Sequence, residues 1–134
     1  MGSPVTRFKL GDSYPREGFV QRAVERHFLG MGYRLTPIPH ADFCFTHPET
    51  NRRWLIEAKG VTAATGLDYH TGLGQLVQRI RDDITDPAIA VPATPFFLRR
   101  FQRMSPRVRT ALHLTWLLVR ADQSVETVTP DQCV

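Results

Sequence analysis

The segment Trp54-Leu55-Ile56-Glu57-Ala58-Lys59-Gly60 constrains the fold more than any other part of the chain. Arg53 to Lys59 reads as a strand, and so apolar a run belongs in the middle of a sheet rather than at its edge. Side chains alternate faces along a strand, so Glu57 and Lys59 share one face while Ile56 and Ala58 share the other. A carboxylate and an ammonium therefore stand side by side at the carboxyl end of an otherwise buried element. Charges are placed there when they are paired or used.

The neighbouring residues supply the rest of a sheet. His47-Pro48-Glu49-Thr50-Asn51 is dense in turn formers and reverses the chain from a mostly apolar strand, Asp42 to Thr46. Tyr33 to Ile38 forms an earlier strand, ended by Pro37 and Pro39. The three strands make a meander, and pairing around the turn brings Asp42 close to Glu57. Ahead of them, Phe19, Val20, Ala23, Val24, His27 and Phe28 recur at helical spacing, which predicts a helix over Glu17 to Leu29 stopped by Gly30 and Gly32.

Beyond Gly60 the Thr-, Gly- and Ala-rich stretch to Gly74 shows no period and reads as a loop. It holds Asp68, Tyr69 and His70, and the glycines of Gly72-Leu73-Gly74 turn the chain into a helix over Leu73 to Asp83 with Leu76, Val77 and Ile80 as its apolar stripe. A short strand at Ile89 to Val91, two helical pieces over Phe96 to Met104 and Pro106 to His113, a strand from Leu114 to Val119 and an edge strand at Ser124 to Val128 complete the series. The fold class is α/β: a central mixed sheet of four to five strands flanked by helices, with one long crossover making part of it parallel. Residues 1–14 read as a flexible N-terminal segment and 15–130 as a single domain.

Composition narrows the function classes. A chain of 134 residues supports one core, and 42% apolar with 22% charged residues excludes a disordered or fibrous protein. No run approaches the ~20 apolar residues of a membrane span. The polar start of the chain and the two cysteines, Cys44 and Cys133, predict a cytoplasmic protein without a disulfide framework. The formal charge is +4, and of 17 basic residues only Lys9 and Lys59 are lysines. Arg99, Arg100, Arg103, Arg107 and Arg109 form a dense group suited either to following a phosphate backbone or to a solvated helix face.

Two carboxylates converging from adjacent strands make a hard oxygen site suited to Mg²⁺ or Mn²⁺, and a nearby lysine can steady charge building on a phosphoryl group. Asp42, then Glu57-Ala58-Lys59 after a spacer of fourteen residues, then a helix carrying Gln75, resembles the PD-(D/E)XK nuclease superfamily with its restriction-endonuclease-like fold. The run Arg16 to Gly32 ending in Gly32-Tyr33, and the helix start at Gly72-Leu73-Gly74-Gln75-Leu76, are similar to Mrr-like and junction-resolvase-like members. The resemblance covers about Glu17 to Val91 and implies a divalent-metal-dependent nuclease acting on DNA. It implies that Asp42, Glu57 and the backbone carbonyl of Ala58 hold the metal, that Lys59 positions or activates the attacking water, and that Gln75 orients Lys59, the water or a phosphate.

Two departures stand out. Ala41 precedes Asp42 where the family often has proline, and Gln21 stands where many relatives place an acidic residue on the first helix. Glu17 and Glu25 lie one turn to either side of Gln21 and share its face. That row either reaches the site or forms a solvated face with Arg22 and Arg26. His70 is a further auxiliary candidate. A catalytically weak or inactive nucleic-acid-binding or assembly module of the same fold is the alternative. With no room for a separate recognition domain, a homodimer or a protein partner would supply specificity.

Overall fold

A computed structural model describes residues 12–38, 43–82 and 85–132. The elements, in chain order, are α1 (Glu17–Gly30), β1 (Arg34–Leu35), β2 (Phe43–Thr46), β3 (Arg53–Ala58), α2 (Thr65–Gln78), β4 (Thr85–Pro92), α3 (Pro95–Arg103), α4 (Pro106–Leu112), β5 (Thr115–Val119) and β6 (Val125–Val128). The strands form one sheet in the order β1-β2-β3-β4-β5-β6. The described residues therefore carry six strands rather than four to five. β1 to β3 are antiparallel, β3, β4 and β5 run parallel, and β6 returns antiparallel on β5. Two crossovers, one through α2 and one through α3 and α4, replace the single crossover expected.

Both faces of the central strands are covered, which is why they read as apolar runs rather than as alternating ones. On one face Val20, Ala23, Val24 and Phe28 of α1 pack on Ile56, Ala58, Ala88, Ala90, Leu117 and Val119. On the other, Tyr69 and Leu76 of α2 with Phe97 and Phe101 of α3 cover Leu55, Ile89, Val91, Trp116 and Leu118. Glu57 belongs to this second face by alternation.

β4 is longer than its apolar residues Ile89 to Val91 suggest, because Pro87 and Pro92 lie inside it. Pro87 pairs with Leu55 of β3, while β5 joins the ladder only from Ala88. The missing N–H of Pro87 thus falls where the strand has a neighbour on one side only.

The larger correction concerns 60–74. α2 starts at Thr65, so Asp68, Tyr69, His70 and Gly72 are helical. Its start is organised by side chains. The Thr62 hydroxyl donates to Asp68 Oδ2 at 2.5 Å and accepts from the Ala64 N–H at 3.1 Å, and the Thr65 hydroxyl donates to the Thr62 carbonyl at 3.0 Å. Hydroxyl-rich sequence, read as a loop signal, here ties the turn before the helix to its first turns, while the N-cap residue itself is Ala64 with no side-chain cap bond. The expected flexible segment 1–14 lies outside the described residues apart from 12–14, where Asp12 meets Arg22 at 3.4 Å. Among the described residues no helix is long and apolar enough to cross a membrane.

Candidate functional site

The site is assembled at the carboxyl end of β3. Glu57 is 4% exposed and Lys59 follows directly after the strand, its backbone N–H donating to the Ala90 carbonyl of β4 at 2.8 Å. Gly60 then lets the start of α1 close over the strand end. A side chain at Gly60 would meet the Glu17 nitrogen at 2.3 Å and the Arg16 carbonyl carbon at 2.5 Å, and the Val61 N–H donates to the Pro15 carbonyl at 3.0 Å. This contact brings the first turn of α1, and with it Glu17, to the charged end of β3. Negative charge is favoured there by the helix dipole.

Lys59 Nζ lies 3.6 Å from Glu57 Oε1 and 3.8 Å from Glu17 Oε1. Both separations are ion-pair range and longer than a hydrogen bond. The ammonium is therefore held between two buried carboxylates from different elements, with its three donors not committed to either. Arg79, at the end of α2, donates from Nη1 to Glu57 Oε2 at 3.2 Å. Glu57 is thus flanked by a cation on each oxygen, which offsets the cost of burying its charge.

Gly72 gives α2 the close approach this cluster needs. A β-carbon there would sit 2.4 Å from Lys59 Cε and 3.2 Å from Glu57 Cγ. The glycine is a helical clearance over the two charged side chains rather than the turn former expected.

Sequence expectation and structure part at several residues. Gln75 is exposed, and its side chain makes no hydrogen bond to another described residue. The helical twist explains this: Gln75 lies about 60° around α2 from Gly72, whereas Arg79, two turns on, lies within about 20° of it. Arg79, rather than Gln75, is the α2 side chain that meets the cluster, through Glu57. The i, i+7 spacing from Gly72 was the available signal, hidden because the helix start was placed too late.

Glu17, Gln21 and Glu25 are 7%, 4% and 2% exposed, so the row is buried and not a solvated face. Gln21 Nε2 donates to Glu17 Oε2 at 3.4 Å, which ties Gln21 to the carboxylate that meets Lys59. His70 is exposed, with Nδ1 2.8 Å from the Gly66 carbonyl. Ala58 is fully buried. Asp42 lies outside the described residues, directly before Phe43, whose partner across the ladder is Ile56. Cys133 lies outside them too. Among the described residues no three His, Cys, Asp or Glu side chains gather into a ready metal cluster.

The arginine group divides. Arg99, Arg103 and Arg107 are exposed and Arg100 is half-buried, its guanidinium 4.4 Å over the Phe96 ring. Arg109 is a correction: it is 3% exposed, lies 4.4 Å over Phe101 and donates to the Gln132 carbonyl. Its stem and flat guanidinium suit an apolar ring on one side and a carbonyl on the other, which removes it from the surface.

This architecture has a counterpart among solved structures. The fold is shared with an XisH family protein. That protein, from Nostoc punctiforme PCC 73102, aligns with a TM-score of 0.58, over 80% of this chain and 95% of its own. Identity to the XisH protein is 14%, so the likeness concerns the fold alone. No family model matches the chain, and no curated protein matches it.

Proposed function

We propose that the chain is a divalent-metal-dependent nuclease of restriction-endonuclease-like fold that hydrolyses phosphodiester bonds in DNA. The observation that carries this reading is the convergence of Glu57 from β3 and Glu17 from α1 on the Lys59 ammonium, at the carboxyl end of a parallel strand where open α/β sheets bind their ligands.

The donor set suits Mg²⁺ or Mn²⁺: carboxylate oxygens, no soft ligand, and a site kept polar although buried. Glu57, Asp42 and the Ala58 carbonyl would hold the ion, with Glu17 as a further carboxylate. When bound, it supplies charge to a phosphoryl oxygen and to an attacking water. The chain's own groups do the rest. Lys59 presents uncommitted N–H donors to a phosphate oxygen, Arg79 fixes the rotamer of Glu57, and Gly72 keeps the space over both side chains open.

The metal claim is tested by titrating Mn²⁺ and following its spin resonance. Wild type binds, and Glu57→Gln weakens binding at least tenfold while the far-UV spectrum is unchanged. Equal binding by both proteins contradicts the assignment.

One observation favours a second reading. Among these four side chains two carboxylates face two cations, so the cluster is already neutral without an added ion. A module that binds nucleic acid without cutting it fits that balance. It would show salt-sensitive DNA binding with no cleavage at any Mg²⁺ or Mn²⁺ concentration.

A further inference from the structure

Between α2 and α3 lies a pocket of about 350 Å³ lined by Tyr69, His70, Leu73, Arg100, Arg103 and Met104. It has room for about ten waters, which also accommodates a phosphate with its adjoining sugar. Arg100 and Arg103 stand three residues apart on α3 and so share a face. Neither guanidinium has a carboxylate within ion-pair range among the described residues, whereas Arg22, Arg52, Arg53, Arg79 and Arg120 each do. Arg100 Nε is moreover buried without a hydrogen-bond partner. Stacking on Phe96 holds the Arg100 side chain in place before any ligand arrives.

The other wall supplies polar edges. Nδ1–H of His70 donates to the Gly66 carbonyl, so the neutral ring offers Nε2 as an acceptor, suited to a hydroxyl of the ligand rather than to its phosphate oxygens. Burial pushes the Tyr69 phenol up to about 12, so its hydroxyl stays a donor at every ordinary pH. Leu73 and Met104 form the apolar part. Two guanidinium groups with no carboxylate in ion-pair range among the described residues, and a phenol that donates, line a small cavity with the charge and donors that suit a phosphate.

We infer that this α2–α3 pocket is a phosphate subsite, which holds a nucleic-acid phosphate next to the one positioned at Lys59. The inference rests on the nucleic-acid reading above for its ligand, and α2 links the two places. Tyr69 and Gly72 are separated by about 5 Å along the helix axis. A bound strand would then run along α2, one phosphate at the carboxyl end of β3 and one between the helices. Two sources share this chemistry, an internal phosphodiester and a terminal 5′-phosphate.

The test measures binding of a short fluorescent single-stranded oligonucleotide by anisotropy, in chelator so that no cleavage intervenes, across a range of salt. Arg103→Ala is expected to weaken binding on the order of tenfold and to lower the slope of log K against log salt by about 1. Arg100→Gln and Tyr69→Phe, which keep the packing, weaken it as well, while Arg120→Gln, on a guanidinium already paired with Glu126, does not. If the pocket takes a 5′-terminal phosphate, removing that phosphate from the oligonucleotide erases the difference between wild type and Arg103→Ala. If it takes an internal one, the difference persists. Unchanged affinity and slope in both Arg103→Ala and Arg100→Gln overturns the subsite. Failure of the nuclease reading looks different: pocket-dependent binding would remain, without cleavage when metal is added.

Discussion

At the scale of single residues, Gly72 shows how strictly the cluster limits its surroundings. Alanine is the better helix former by about 1 kcal/mol. Its β-carbon would press on Lys59 Cε, the distal part of a flexible side chain that swings aside at little cost. Gly72→Ala should therefore unfold at the same or a higher urea concentration yet lose at least tenfold in cleavage rate, because Lys59 no longer sits between Glu17 and Glu57. Retained cleavage would show that the position of Lys59 is immaterial. Tyr69 gives a second prediction with a definite sign. Its phenol is raised from 10.0 to about 12, chiefly by burial and against a smaller pull from Arg100. Above pH 10 the unfolded chain releases a proton that the fold retains, so stability falls as pH rises from about 10 and levels off above about 12. Burial raises Tyr14 as well and adds to the same trend. Tyr69→Phe should flatten part of this alkaline decline in urea midpoints measured across that range, and an unaltered decline would contradict it.

At the scale of elements, the site depends on how α1 and α2 approach β3. Gly60 is the hinge of the first approach: a β-carbon there collides with backbone atoms of Arg16 and Glu17, which cannot swing away as Lys59 can. Gly60→Ala should cost upwards of ~2 kcal/mol and separate Glu17 from Lys59, seen as a lower thermal midpoint together with lost activity. The Thr62 turn ahead of α2 is milder. Thr62→Val removes the hydroxyl that serves Asp68 and Ala64 and should destabilise by about 1 kcal/mol. Hydrogen exchange raised along 65–70 would report it, and protection equal to wild type would contradict it. These two helices also mark what the sequence made legible. Residues 17–30 carry a full apolar period and a glycine stop, so α1 could be read to within a residue. α2 could not, because its buried face is Tyr69, Gly72 and Leu76, an aromatic ring, a bare backbone and one leucine, which produces no apolar stripe. The late start left Gly72 off the helix and its i, i+7 relation to Arg79 unread, while Gln75 came from the family resemblance alone.

At the scale of the whole molecule, strand alternation alone was enough to put Glu57 and Lys59 on one face, and the meander and later crossover followed from turn formers and apolar runs. Glu17 was legible only as a candidate, since its arrival depends on the close packing of Gly60 against α1, a tertiary contact that no local pattern encodes. The same holds for Arg109, whose place over Phe101 distinguishes it from the exposed arginines around it. The charge is organised accordingly: among the described residues five arginines pair with carboxylates, while Arg100 and Arg103 of α3 line a pocket with no carboxylate in ion-pair range. Arginine makes the fixed contacts to Glu57 at Arg79 and to Phe101 at Arg109, and a lysine stands where a compact ammonium with three donors lies between two acids.

That lysine is where the proposed activity is tested most directly. Purified protein is incubated with supercoiled plasmid and with single-stranded DNA in Mg²⁺ or Mn²⁺, beside Glu57→Gln, Lys59→Ala and Lys59→Arg, with circular dichroism melts of all four. Wild type should cleave, chelator should stop it, and each variant should lose at least ~100-fold in rate, the scale of a lost transition-state charge contact, while its melting transition stays cooperative. Cleavage at the wild-type rate by folded Glu57→Gln or Lys59→Ala, or no cleavage of any substrate by wild type, would contradict the assignment.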